Sequence, residues 1–123
     1  MELIIDTSKN QDISIELLLN GESLAKNEFE ASFTQAEKLL PEIDLLLKSI
    51  NKVPGDLKSI KVASEGGSFT ALRIGIVTAN ALGYSLGIPV KNFRGESFSA
   101  DGIDIVKPEY SSEPNITIGK KKL

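Results

Sequence analysis

Ser59-Ile60-Lys61-Val62-Ala63-Ser64-Glu65-Gly66-Gly67-Ser68-Phe69-Thr70-Ala71-Leu72-Arg73-Ile74-Gly75 passes from a strand through a glycine-rich turn and straight into a helix. Ser59 to Ala63 is short, apolar and β-branched at alternate positions, as a buried strand requires. Two glycines then allow a tight turn, and a helix follows from about Ser68 to Leu86, where Gly87-Ile88-Pro89 stops it. Pro89-Val90-Lys91-Asn92-Phe93 reads as the next strand. A right-handed crossover through the helix makes these two strands parallel, which commits the chain to an α/β fold.

Upstream, Glu2 to Asp6 is the apolar run of a buried strand, and Asp12-Ile13-Ser14-Ile15-Glu16-Leu17 alternates as a half-buried strand does. Asn20-Gly21 supplies the positive φ angles of a type I′ turn before a third strand, Glu22 to Phe29, so the first three strands form an antiparallel meander. Thr34-Gln35-Ala36-Glu37 has the spacing of a capping box and predicts the start of the first helix. Its apolar stripe is Ala36, Leu39, Leu40, Ile43, Leu46, Leu47 and Ile50. Pro41 lacks an amide hydrogen and predicts a bend or a lost hydrogen bond near Glu37, and Val53-Pro54-Gly55-Asp56 closes the helix. After Arg94 the pattern weakens to two short strands, Ile103 to Val106 and Ile116 to Ile118, with no internal repeat. The expected architecture is a mixed five-stranded sheet with two main helices.

The 123 residues carry a net charge of −3 and contain no cysteine or histidine, which bounds the chemistry. One domain of this size buries roughly two-thirds of the surface that its unfolded chain exposes. Without His or Cys there is no Ser-His-Asp triad, thiol nucleophile, zinc site of those ligands or disulfide. No basic leader with a long apolar segment is visible and no run approaches about 18 apolar residues, so the expected location is cytoplasmic, without a membrane partner. A slightly acidic chain with only Arg73 and Arg94 as arginines argues against a dedicated nucleic-acid binder.

Two loops are candidate sites. Asp6-Thr7-Ser8 ends the first strand with a carboxylate and two hydroxyls, suited to a metal or phosphate, although capping its own turn is the preferred reading. Gly66 and Gly67 precede a helix N-terminus that suits an anion, or simply an N-capped helix with Ser68 or Thr70 as cap. No Walker A lysine accompanies them. Asp6 and Glu65 at neighbouring strand ends raise a metal-dependent nuclease as the enzymatic alternative, although such a site needs three or four carboxylates and Glu37 is better placed in the capping box. No catalytic residue and no metal ligand is assigned.

The second helix is apolar on two sides, Leu72, Ile76 and Leu82 on one, Ile74, Val77, Ala81 and Tyr84 on the other. Ala71, Gly75, Ala79 and Gly83 recur every four residues, which fits close packing either on the chain's own sheet or on another backbone. Leu45 lies outside the first helix's stripe, and a protein partner is the simplest cover for the surplus apolar surface. Lys120-Lys121-Lys122 reads as a solvated terminus or a weak phosphate contact.

Three antiparallel strands, a helix, a parallel strand, a helix and another strand is the order of the ribonuclease H-like fold, shared by each lobe of the actin and Hsp70 group. Met1-Glu2-Leu3-Ile4-Ile5-Asp6-Thr7-Ser8, Glu37 to Leu47, Gly67 to Gly75 and Leu86-Gly87-Ile88-Pro89-Val90 resemble the bacterial TsaB (YeaZ) family over about residues 1–98, with Gly67 to Gly75 the most specific part. The family's usual Gly-Pro-Gly is Glu65-Gly66-Gly67 here, and its Gly after Thr is Ala71. Val106-Lys107-Pro108-Glu109-Tyr110 is similar to the family's C-terminal Pro-x-Tyr element, so the resemblance implies a single ribonuclease H-like lobe (1–98) with a short extension (99–123) and the second lobe missing.

The resemblance further implies a non-catalytic scaffold for TsaD, the ATPase-like subunit that transfers threonylcarbamoyl to the adenosine next to the tRNA anticodon, in a pathway shared with TsaC and TsaE. ATP would sit on TsaD, TsaE would be a further partner, and tRNA would engage this chain only indirectly. The implied interface comprises Leu39, Leu40, Ile43 and Leu47 with Leu72, Ile76, Ala79 and Gly83, the same surface serving for a homodimer in isolation. Asp6, Thr7, Ser8, Gly66 and Gly67 would be the vestige of a phosphate or metal site. A stand-alone homodimer with no pathway role is the remaining alternative.

Overall fold

β1 (Glu2–Lys9) is the central strand, paired antiparallel with β2 (Asp12–Leu19) on one side and parallel with β4 (Ser59–Val62) on the other. The computed structural model describes residues 1–9, 11–31, 34–100 and 103–107. β3 (Glu22–Glu30) extends the meander from β2, and β5 (Val90–Lys91) lies parallel to β4, giving the sheet order β3-β2-β1-β4-β5. The helices are α1 (Gln35–Ser49) and α2 (Phe69–Leu86), with a 3-10 turn at Pro54–Asp56. β6 (Phe98–Ala100) and β7 (Ile103–Ile105) pair as a separate antiparallel ribbon, so the boundary expected at residue 98 falls at the first residue of a strand.

Strand register explains the core. Leu17, Leu3, Ile60 and Val90 align across four strands, and Ile15, Ile5 and Val62 form the next row. All seven are buried, covered by Leu39, Ile43, Leu46 and Leu47 of α1 and by Leu72, Ile76 and Ala79 of α2. Because side chains alternate along a strand, Ile4, Asp6, Ser14 and Glu16 fall on the opposite, half-buried face. Asn20 (φ 54) and Gly21 (φ 84) both take the positive φ angles expected of the β2–β3 turn.

Both helix starts differ in kind. At α2, Ser68 is extended (φ −81, ψ 150) and its Oγ accepts the Ala71 amide at 3.1 Å, one of the two caps expected. At α1 the capping box does not form. Thr34 sits at φ −130, ψ 17, held in a turn by its amide donating to the Ala31 carbonyl, and only its backbone carbonyl receives the Glu37 and Lys38 amides. That geometry leaves its hydroxyl without the extended backbone that would aim it at the first-turn amides. α1 also continues through Pro41. The missing hydrogen bond is the one to Glu37 in the first turn, while Leu39 and Ile43 pin the helix to the sheet on both sides of the proline.

β5 is shorter than the expected run to Phe93 because Asn92 turns the chain. Its Oδ1 accepts the Arg94 and Glu96 amides at 3.0 and 2.9 Å, and its own amide donates to the Glu96 carbonyl at 2.9 Å. Ile103 to Ile105 is a strand as expected, and Val106 behind it enters the core. Ile116 to Ile118, Lys120 to Lys122 and the Pro-x-Tyr element at Pro108 to Tyr110 lie outside the described residues.

Candidate partner interface

The end of β1 and the turn before α2 meet, as their positions at neighbouring strand ends predicted. Asp6 Oδ1 accepts both the Ser8 amide at 2.9 Å and the Ser8 hydroxyl at 2.5 Å, so the carboxylate caps its own turn. Gly66 and Gly67 have φ of 89 and 69, and a Cβ on Gly67 would collide with the Ser8 carbonyl. A carbonyl oxygen therefore occupies the ground beside the turn, and its negative end repels an anion. Thr7 is fully buried, its hydroxyl has no partner among the described residues, and it packs beneath Gly75. Glu65 is ion-paired with Arg94, which also reaches Glu96 at 3.0 Å. The Arg94 guanidinium first, then the Asn92 amide, hold the Glu96 carboxyl below its ordinary range. Asp6 and Glu65 thus face local partners, and among the described residues no third carboxylate joins them.

The helix residues expected at an interface are placed differently from that expectation. Leu39, Ile43, Leu47, Leu72, Ile76, Ala79 and Gly83 are buried in this chain's own core and present nothing to a partner, and only Leu40 is exposed. The small-residue row is packing on the chain's own sheet. A Cβ at Gly75 would strike the Thr7 side chain, and one at Gly83 would strike Val90, so glycine lets α2 lie close on β1 and β5.

The surplus apolar surface lies on the outer sides of the helices. Phe69, Arg73, Val77, Ala81 and Tyr84 follow at three- and four-residue spacing along the outside of α2, with Val77 58% and Tyr84 68% exposed. The Arg73 guanidinium lies over the Phe69 ring, 5.6 Å from its centre. On α1, Glu42 Oε1 accepts Asn27 Nδ2 at 2.9 Å, which ties one flank to β3. The other flank carries Ala36 and, one helical turn on, the 52% exposed Leu40. Ala36, Phe69, Thr70, Arg73, Ile74 and Val77 line a shallow groove between the helices. Leu45 is exposed on the far side of α1, near the Asp44–Lys48 pair at 2.9 Å, where the Asp44 carboxylate raises the Lys48 ammonium above its ordinary range.

The second apolar side read on α2 is this outer face, with Val77, Ala81 and Tyr84 exposed and Ile74 half-buried. The signal that separates the sides is the small-residue row, which marks where a strand comes close. Among the described residues no helix is long and apolar enough to cross a membrane.

A family model described as "TsaD: tRNA N6-adenosine threonylcarbamoyltransferase" matches residues 29–92. The tRNA threonylcarbamoyladenosine biosynthesis protein TsaB of Bacillus subtilis (strain 168) is 34% identical over 101 residues, which is 81% of this chain and 44% of that protein. YeaZ from Pseudomonas aeruginosa superposes with a TM-score of 0.67 at 28% identity, over 74% of this chain and 42% of that one. A crystal structure of an uncharacterized protein with similarity to peptidase YEAZ from Pseudomonas aeruginosa gives 0.68 at 28% identity, over 74% and 41%. The fold is the ribonuclease H-like one of these proteins, and the chain spans less than half the length of each relative.

Proposed function

Because the chain belongs to the TsaD-like family and resembles its TsaB (YeaZ) members, we propose that it serves tRNA threonylcarbamoyladenosine biosynthesis as a non-catalytic subunit bound to a TsaD-like partner. The observation that carries this reading is the outer face of α1 and α2. Leu40, Phe69, Val77 and Tyr84 expose large apolar side chains there although the core is filled from the opposite sides of the same helices. A patch of this kind on a small domain is the ordinary mark of a protein contact.

What speaks against catalysis is the state of the loops. Asp6 is committed to Ser8, Glu65 to Arg94, and the turn at Gly67 lies against a carbonyl oxygen. Nucleotide would then sit on the TsaD-like subunit, and this chain would act by positioning that subunit. Light scattering behind size exclusion tests the reading, on the chain alone and mixed with the TsaD-like subunit of the same organism. A stoichiometric complex, formed at the expense of any self-associated species, supports it. Unchanged separate peaks contradict it.

A further inference from the structure

We infer that Arg73 sets the chemistry of the partner: the outer face of α2 docks a protein surface that presents a carboxylate to Arg73, in preference to a second copy of this chain. The inference rests on the partner reading above and deepens it.

Three observations carry it. Arg73 is the only charged residue in the eighteen of α2, Phe69 to Leu86. It sits among the exposed apolar residues, one turn after Phe69 and one turn before Val77, and it lines the groove toward α1. Among the described residues no carboxylate pairs with it, and its contact is the face of the Phe69 ring. A cation over a ring keeps its attraction when water is removed, but its N–H donors still need acceptors. A partner covering Phe69 and Val77 therefore strips water from a guanidinium, which costs heavily unless a carboxylate arrives with it. Arginine suits this role because its planar fork takes a carboxylate in two parallel hydrogen bonds.

A second copy is a poor source of that carboxylate. A two-fold contact through this face sets the same patch against itself, and α2 brings no Asp or Glu to it. Among the acids of α1, Glu42 is hydrogen-bonded to Asn27 and Asp44 is held by Lys48. Glu37, in the first turn, is the remaining one that self-association would have to use.

The test measures affinity for the TsaD-like subunit, and self-association, for the full chain and for Arg73→Glu, Arg73→Lys and Val77→Glu, each checked for native circular dichroism. The expected result is at least a tenfold loss of mixed binding for Arg73→Glu, a smaller loss for Arg73→Lys, and self-association no weaker than in the parent chain. Mixed binding of Arg73→Glu within twofold of the parent overturns the inference. Equal loss of mixed and self-association in Arg73→Glu also overturns it, and assigns Glu37 of a second copy as the acceptor. Val77→Glu keeps the two levels apart. If it abolishes mixed binding while Arg73→Glu does not, only the inference falls. If it binds like the parent, the face itself is misassigned and both fall.

Discussion

Asn80 on α2 and Val106 beyond β7 exchange two hydrogen bonds, the Asn80 Nδ2 donating to the Val106 carbonyl and the Val106 amide donating to Asn80 Oδ1, each at 2.9 Å. The side-chain amide imitates a strand partner and holds a segment 26 residues away against the helix, with the Val106 side chain in the core. Replacing Asn80 by Ala leaves both backbone groups without their partners at a cost of about 1–3 kcal/mol. Hydrogen exchange at the Val106 amide should speed up by roughly tenfold or more while the amides of β1 keep their protection. Equal protection in parent and variant would mean that the segment is held by other contacts.

Thr7 has a hydroxyl with no partner among the described residues, in a fully buried site under Gly75. Thr7→Val removes that uncompensated group and should raise unfolding stability by about 1 kcal/mol in denaturant titration. Gly75→Ala drives a methyl group into Thr7 and should lower it by about 1–3 kcal/mol. Opposite signs at two touching positions are the signature expected of this contact.

Leu39 and Leu40 are neighbours in sequence with opposite environments, Leu39 fully buried and Leu40 half-exposed. Leu39→Glu buries a charge with no counter-ion and should cost more than about 3 kcal/mol, enough to unfold a marginal domain. Leu40→Glu should stay folded by circular dichroism and lose the TsaD-like partner by at least about tenfold, the loss of roughly 1.4 kcal/mol or more from a desolvated contact.

Glu96 has a folded-state carboxyl held below its ordinary range by Arg94 and Asn92. A depressed carboxyl stabilises the loop above the ordinary glutamate range, and that contribution disappears as pH falls through the lower folded value. Carbon-detected NMR titration should place the Glu96 midpoint below that of an unstructured glutamate, and Arg94→Ala should move it up. A midpoint that ignores Arg94→Ala would break the assignment.

The order of elements was legible because each carries its own period or punctuation: alternation in Asp12 to Leu17, Asn20-Gly21 for the turn, Ser68 and Gly87 at the ends of α2. The orientation of α2 was not. A helix apolar on two sides has little contrast between them, so Leu72 and Ile76 could be assigned outward from sequence when Thr7 and Val90, brought close only by the sheet, require the glycine side to face inward. The box at Thr34 failed for a related reason, since spacing says nothing of the backbone angles that aim its hydroxyl. Nor does any local pattern link Asn80 to Val106. Of the candidate loops, the end of β1 and the turn at Gly67 lie side by side, and the Asp6 carboxylate is taken up by Ser8.

The docking face is tested most directly by amide NMR of the isotope-labelled chain during addition of the unlabelled TsaD-like subunit of the same organism. A partner docked on the outer faces of α1 and α2 gives perturbations clustered at Leu40, Phe69, Arg73, Val77 and Tyr84. Perturbations confined to the opposite face of the sheet, around Ser14, Glu16 and Lys61, or none at saturating partner, would contradict it.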